Sequence, residues 1–202
     1  YQKDMIIDHI GSLGDISISN IRIKNAGKIG CSITGQPGFM VKNIRLSNIV
    51  MDLEGGGTLD DLQKEVEEKP KDYPDGNMFG TLPAFGFYIR HATNVNFNGI
   101  EITIQKDDLR SAFYLDDVLK SSFSNLQIQS YEANQANIWL RNSQDIIIKE
   151  SVIKGKSASF VKLDGDQNSN ISLLNNLVQE VKSIVLPQKN PKGMVKEFGN
   201  KR

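Results

Sequence analysis

An eight-residue phrase recurs along this chain, and its spacing limits the possible folds more than any other feature. Ile16-Ser-Ile-Ser-Asn-Ile-Arg-Ile23 returns as Ile44–Met51, Val95–Ile102 and Ser121–Ile128, and in weaker form as Ile146–Ile153 and Ile171–Val178. The starts lie 28, 51, 26, 25 and 25 residues apart. A fixed period near 25 residues marks a repeat architecture, in which each unit buries its apolar face against the next.

Within each copy the first, third, sixth and eighth places are mainly apolar, so the phrase is two short strands of alternating pattern. The fifth place is Asn20, Asn48, Gly99, Asn125, Glu150 or Asn175. Asparagine and glycine tolerate the left-handed backbone region, which predicts a sharp bend there and a ladder of stacked amides. A third strand precedes most copies, with apolar centres Ile33, Ile89, Leu115, Leu140, Leu163 and Leu186. Three strands per period without helical signal predict an all-β fold, a right-handed parallel β-helix of about six coils. A leucine-rich repeat lacks its leucine spacing here, and a β-sandwich does not keep residue identity in columns.

Basic and acidic residues cancel at 24 each, which argues against nucleic acid or an anionic membrane as partner. No apolar run is long enough to span a bilayer. The single Cys31 excludes an internal disulfide framework and reads as a small buried filler. Residues 1–202 read as one β-helix domain, expected to be the C-terminal part of a longer protein. Met5–Ile7 and Ile10 look like a strand ahead of the first phrase, and 187–202 like a C-terminal cap or tail. The long interval places an insertion at 54–84. Gly55-Gly-Gly57 breaks the strand, Thr58-Leu-Asp-Asp61 has the form of a helix-opening capping box, and Asp60–Glu68 reads as a short charged helix. Such an excursion is either a solvated loop or a wall beside a groove.

Ile29–Gly38, Val41–Ile49, Gly55-Gly-Gly-Thr58 and Met78–His91 together resemble the C-terminal half of the polygalacturonase family, glycoside hydrolase family 28, of the type found in Bacteroidetes. The resemblance runs from about Ile16 to Val118. It implies a right-handed β-helix of a secreted or periplasmic enzyme that hydrolyses pectin-type chains with inversion. The family's Asn-Thr-Asp, Asp-Asp and Gly-His-Gly elements are absent here, so its catalytic carboxylates are expected upstream. Asp60-Asp61, Asp107-Asp108 and Asp116-Asp117 read as solvated turn carboxylates; adjacent strand residues face opposite ways and cannot alone form an acid/base couple. Arg22-Ile23-Lys24 matches the family's carboxylate-binding strand in composition, but the register places Ser32-Ile33-Thr34 at that position. Two hydroxyls there favour a neutral or differently decorated sugar.

Alternation on the strand before each phrase fixes two outward columns: Ser32, Tyr88, Tyr114, Trp139, Lys162, and Thr34, Arg90, Asp116, Arg141, Asp164. In the resembled family this face is the substrate groove. The resemblance therefore makes Ser32, Thr34, Tyr88, Arg90, Tyr114, Asp116, Trp139 and Arg141 candidate contacts for a pectic or related polysaccharide. The rings read equally as packing under the insertion, and the charges as a salt-bridge ladder. Asp164-x-Asp166-x-Asn168 lacks the later glycine and glutamate of a calcium loop and reads as a turn. His9 and His91 have no partner at metal spacing, so no metal or cofactor is expected. A carbohydrate-binding or structural β-helix without chemistry is the second reading.

Overall fold

The computed structural model describes residues 11–72, 74–131, 134–187 and 194–202. It is a right-handed parallel β-helix of about 7 turns. The strands are β1 (Gly14–Ala26), β2 (Cys31–Thr34), β3 (Val41–Gly55), β4 (Ala84–Lys106), β5 (Ser111–Gln129), β6 (Ile138–Arg141) and β7 (Gln144–Lys149). They continue as β8 (Val152–Lys154), β9 (Ser157–Asp164), β10 (Ser169–Leu174), β11 (Leu177–Val178), β12 (Val181–Leu186) and β13 (Val195–Phe198), with one helix, α1 (Leu59–Gln63). Each coil has three faces. The first carries β2, the fronts of β4 and β5, then β6, β9 and β12. The other two carry the halves of the repeated phrase.

The columns expected from the phrase are present. Ile18, Leu46, Phe97, Phe123, Ile148 and Leu173 stand over one another, as do Ile23, Met51, Ile102, Ile128, Ile153 and Val178. On the first face Ile33, Ile89, Leu115, Leu140 and Leu163 align. Leu186 departs from that column: it pairs with Lys162 on the outward side, and Val185 takes the interior place beside Val161. Phe97 stacks on Phe123 with centroids 5.3 Å apart, and Phe87 on Phe113 at 5.4 Å. Phe113 meets both Phe97 and Phe123 edge-on, so the two stacks lock together across the interior.

The bends occur where left-handed residues recur. Asn20, Asn48, Gly99, Asn125, Glu150, Asn175 and Gly199 all have positive φ, as do Asp15, Asn43, Asn94, Lys120, Asp145 and Asn170 one place before the phrase. Asn48 donates to Asn20 across the coils at 2.6 Å, while Asn125, above the side-chain-free Gly99, reaches Asn98 instead at 2.8 Å. Gly199 closes this column because a Cβ there would stand 2.1 Å from Asn175 Oδ1. In the weaker copies the sixth place is buried and polar. Ser151 Oγ accepts from the Leu126 amide at 3.2 Å, and Asn176 Oδ1 from the Ser151 amide at 3.0 Å. These side chains satisfy backbone groups that the turn leaves without a strand partner.

A seventh coil appears where six were expected. β13 pairs in parallel with β10, Val195 beside Ile171 and Glu197 beside Leu173. Only the first apolar place of the phrase survives in Val195-Lys-Glu-Phe-Gly-Asn-Lys201, so periodicity does not reveal it. At the opposite end of the described stack, Ile18 and Ile21 are each 39% exposed and help to line a cavity of about 440 Å³. The expected strand at Met5–Ile7 and Ile10, and His9, lie outside the described residues.

The insertion leaves the stack after Gly55 and returns at Ala84. Thr58 caps α1 with the reciprocal Thr58–Asp61 bonds expected of the capping box, but the helix stops at Gln63 rather than continuing to Glu68. Asp108 is not a solvated turn carboxylate. It is fully buried and forked against Arg110, with Arg110 Nε 2.9 Å from Oδ1 and Nη2 2.6 Å from Oδ2. Arg110 Nη1 also donates to the carbonyls of Lys28 and Leu82, and Asp108 accepts from the Gly57 amide at 2.8 Å. A Cβ at Gly57 would stand 2.1 Å from Arg110 Nε, so the third glycine of the triplet is a steric requirement. This clasp ties both ends of the insertion to the β4–β5 turn. Removing one partner of a buried pair strands the other charge, so Arg110→Ala should cost about 3–5 kcal/mol in denaturant unfolding. A loss below about 1 kcal/mol, the range of exposed pairs, would show that the clasp does not hold the insertion.

Candidate functional site

The first face points Tyr88, Tyr114 and Trp139 outward in one column, as alternation requires. The rings are nevertheless closed off, at 2%, 7% and 9% exposure. Leu62, Leu82 and Ala84 pack on them, with Val66 and Phe79 at the margin, so the insertion makes this column a second apolar layer. An open stacking ridge was one of two expectations, and in this conformation the covered one holds. Tyr114 and Trp139 stack at 5.5 Å with planes 15° apart, and Lys162 Nζ lies 3.7 Å from the Trp139 ring centroid. Burial pushes both phenols up, Tyr114 to about 12. Ser32, at the head of the column, is exposed, and Thr34 is half-buried.

The second outward column is not a simple charge ladder. Arg90 is buried and turns to the insertion, donating to the Val66 carbonyl at 2.6 Å and the Glu67 carbonyl at 3.1 Å. It also sits 3.2 Å from Glu68 Oε1. Arg141 Nη1 lies 3.5 Å from Glu65, and its Nε is 3.9 Å from Asp116 Oδ1. His91, a left-handed corner residue, places Nδ1 2.7 Å from Asp117 Oδ2 and Nε2 3.2 Å from Glu68 Oε1. Gln36 donates to the Glu68 carbonyl at 3.1 Å.

These contacts give the direction of residues 64–68. Glu65 lies against the coil of β6, Val66 and Glu67 against that of β4, and Glu68 against the loop that follows β2. The segment therefore runs along the solenoid axis across three coil spacings, about 14 Å at roughly 4.8 Å each. The three residue steps from Glu65 to Glu68 span about 10–11 Å when extended, and the long side chains of Arg141 and Gln36 reach across the remainder. Leaving the helix after Gln63 turns the chain along the face, where Arg90 meets the Val66 and Glu67 carbonyls. Two buried donors in this layer, Arg90 Nε and Trp139 Nε1, find no acceptor among the described residues, and Glu68 Oε2 finds no donor there. An unsatisfied buried polar atom costs about 1–3 kcal/mol.

Sequence reasoning assembled Tyr88, Arg90, Tyr114, Asp116, Trp139 and Arg141 on one face, and the structure does so too. It missed Gln36, Glu65, Glu68, His91 and Asp117, which carry no motif and meet only because the insertion folds back. Among the described residues, no group of three or more His, Cys, Asp or Glu is placed to hold a metal ion. Asn168 turns inward and accepts from the Ser143 amide at 2.9 Å.

Burial raises Asp116 above the ordinary carboxylate range, against the opposing pull of Arg141, Arg90 and His91. For an acid whose folded pKa is raised, the stabilising contribution is complete below the unfolded pKa and is lost as pH rises through the folded value. Asp116→Asn should therefore melt at or above the wild-type temperature at neutral pH, the difference shrinking towards acid. A variant melting well below wild type at neutral pH would mean that the Arg141 contact outweighs burial.

No family model, curated protein or solved structure matches this chain.

Proposed function

We propose that this chain is the C-terminal β-helical part of a polygalacturonase-like polysaccharide hydrolase, supplying groove wall and sugar contacts. The reacting carboxylates of an inverting hydrolysis then come from coils outside this chain. The observation that carries this reading is the shape of the first face. It holds an extended polar chain along the solenoid axis, with two arginines beside it and a row of rings under its apolar side. A linear glycan has the same outline: flat C–H faces for the rings, and oxygen acceptors for the arginines. The resemblance over about Ile16–Val118 supports the reading.

The carboxylates present are already engaged. Glu65 faces Arg141, Glu68 faces Arg90 and His91, Asp117 faces His91, and Asp116 faces Arg141. Inverting hydrolysis needs two carboxyl groups about 6.5–9.5 Å apart with room for water between them. That favours a wall over a catalytic centre, and it equally favours the second reading, a binding or structural β-helix without chemistry.

The purified chain should release no reducing ends from polygalacturonate or neutral plant polysaccharides. In calorimetry it should bind one class of oligosaccharide, more weakly in Ser32→Ala/Thr34→Ala by up to tenfold for each hydrogen bond lost, about 1.4 kcal/mol. Reducing-end release abolished by Asp116→Asn would place the chemistry in this chain. No binding to any oligosaccharide by any form would leave only the structural reading.

A further inference from the structure

We infer that Lys64–Glu68 is a displaceable strap that occupies the groove in the resting state, so that access to the first face is regulated by the chain itself. This rests on the groove reading above, which it deepens.

The two parts of the insertion are held very differently. Its base is fixed by the Asp108–Arg110 fork and the Gly57 amide, all fully enclosed. The strap is held by Arg90 through the Val66 and Glu67 carbonyls, by Lys64 through the carbonyls of Phe79 and Thr81, and at its far end by Glu68. Glu68 receives Arg90, His91 and, through its carbonyl, Gln36, yet its side chain is 36% exposed. At the near end the Glu65 carboxylate is 84% exposed and only 3.5 Å from Arg141. The strap itself is neither helix nor strand. It leaves two buried donors beneath the insertion without acceptors, and a small cavity between Lys64–Val66 and Tyr88, Tyr114, Asp116 and Arg141. Segments outside regular structure, bound by polar contacts that solvent partly reaches, open locally while the core stays folded. Lifting residues 64–68 would uncover Arg90, release Arg141 from Glu65 and take Val66 off the margin of the ring layer, whose other covers, Leu62, Leu82 and Ala84, lie outside the strap.

The strap also makes the contacts a ligand would make. Two backbone carbonyls and one carboxylate satisfy Arg90, and Val66 lies against the ring layer. A ligand therefore competes with the strap for the same donors, and its apparent affinity is its intrinsic affinity multiplied by the fraction of molecules in which the strap is open.

Trp139 is the one tryptophan of the chain and neighbours Arg141, the partner of Glu65, so acrylamide quenching of its fluorescence reports whether the ring layer loosens when the strap lifts. Trypsin cleavage after Lys64 is a second readout, since Lys64 Nζ is held by the carbonyls of Phe79 and Thr81. Glu68→Gln keeps the size of the latch and removes its charge; Gln36→Ala removes only the contact to its carbonyl, should the first variant fold poorly. Loss of one charge-assisted bond should raise the open fraction about tenfold. The expected result is faster quenching and faster Lys64 cleavage in both variants, with unchanged far-ultraviolet circular dichroism. Oligogalacturonate or neutral oligosaccharide, whichever binds, should bind Glu68→Gln up to about tenfold more tightly. Quenching and cleavage equal to wild type in both variants would overturn the strap. So would an oligosaccharide that binds wild type and Glu68→Gln equally and leaves Trp139 shielded. If neither form binds any oligosaccharide while quenching and cleavage still rise, the strap stands and the glycan reading falls.

Discussion

A parallel solenoid stands only if every coil turns at the same places. A slip of one residue would send an interior column out to solvent, because strand side chains alternate between faces. Here that constraint is met at the bends by residues of positive φ, mostly asparagine, aspartate and glycine. Left-handed backbone is costly for most side chains, and these residues bear it best because they are short or side-chain-free. The same asparagines then bond to their neighbours one coil away, so a local backbone preference becomes a contact between repeats. Where a coil bears Glu150 or Lys120 at a bend, the position still turns left-handed. The stack above and below imposes it.

The insertion tests how strongly that register is held. Twenty-odd residues leave the stack between β3 and β4, yet β4 pairs with β3 in register from Val41↔Ala92 to Gly55↔Lys106. The Asp108–Arg110 fork makes this possible by closing the excursion at its base. A buried ion pair is weak evidence for stability, but it fixes one arrangement, since any other strands a charge. Arg110 reaches Lys28, Leu82 and Ala84 in addition to Asp108, so one guanidinium joins three separate stretches of chain.

The division between what the sequence reveals and what it hides follows from the range of the interactions. Ile18 over Leu46 over Phe97 is legible because each coil repeats the same local pattern, and the Thr58–Asp61 capping box because it spans three residues. The β13 coil is hidden because Glu197 stands where the repeat has an apolar residue, at an end with no further coil among the described residues to pack against. Leu186 is misplaced by one because β12 carries two adjacent apolar residues, Val185 and Leu186, and only pairing decides which turns inward. Asp108 looks like any turn carboxylate, since its partner is two residues away in sequence but oriented by the fold. Nor does any pattern in Glu65–Glu68 announce that these residues will lie across β4 and β6.

Three aromatic rings in one outward column raise a physical problem in any reading of this face. Each buries about 150–250 Å² when covered, so together they approach or exceed the largest apolar patch of a typical monomer. A protein that kept such a ridge open would carry an adhesive surface; one that covers it needs anchors for the cover, and Arg90 and Arg141 bond the insertion here. The cover is firmly anchored at Gly57, where the side chains are fully buried, and lightly latched at Glu68, where a third of the side chain meets solvent. The most enclosed contacts thus lie at the base, and those that solvent partly reaches lie at Glu65 and Glu68, at the two ends of the stretch that crosses the arginines.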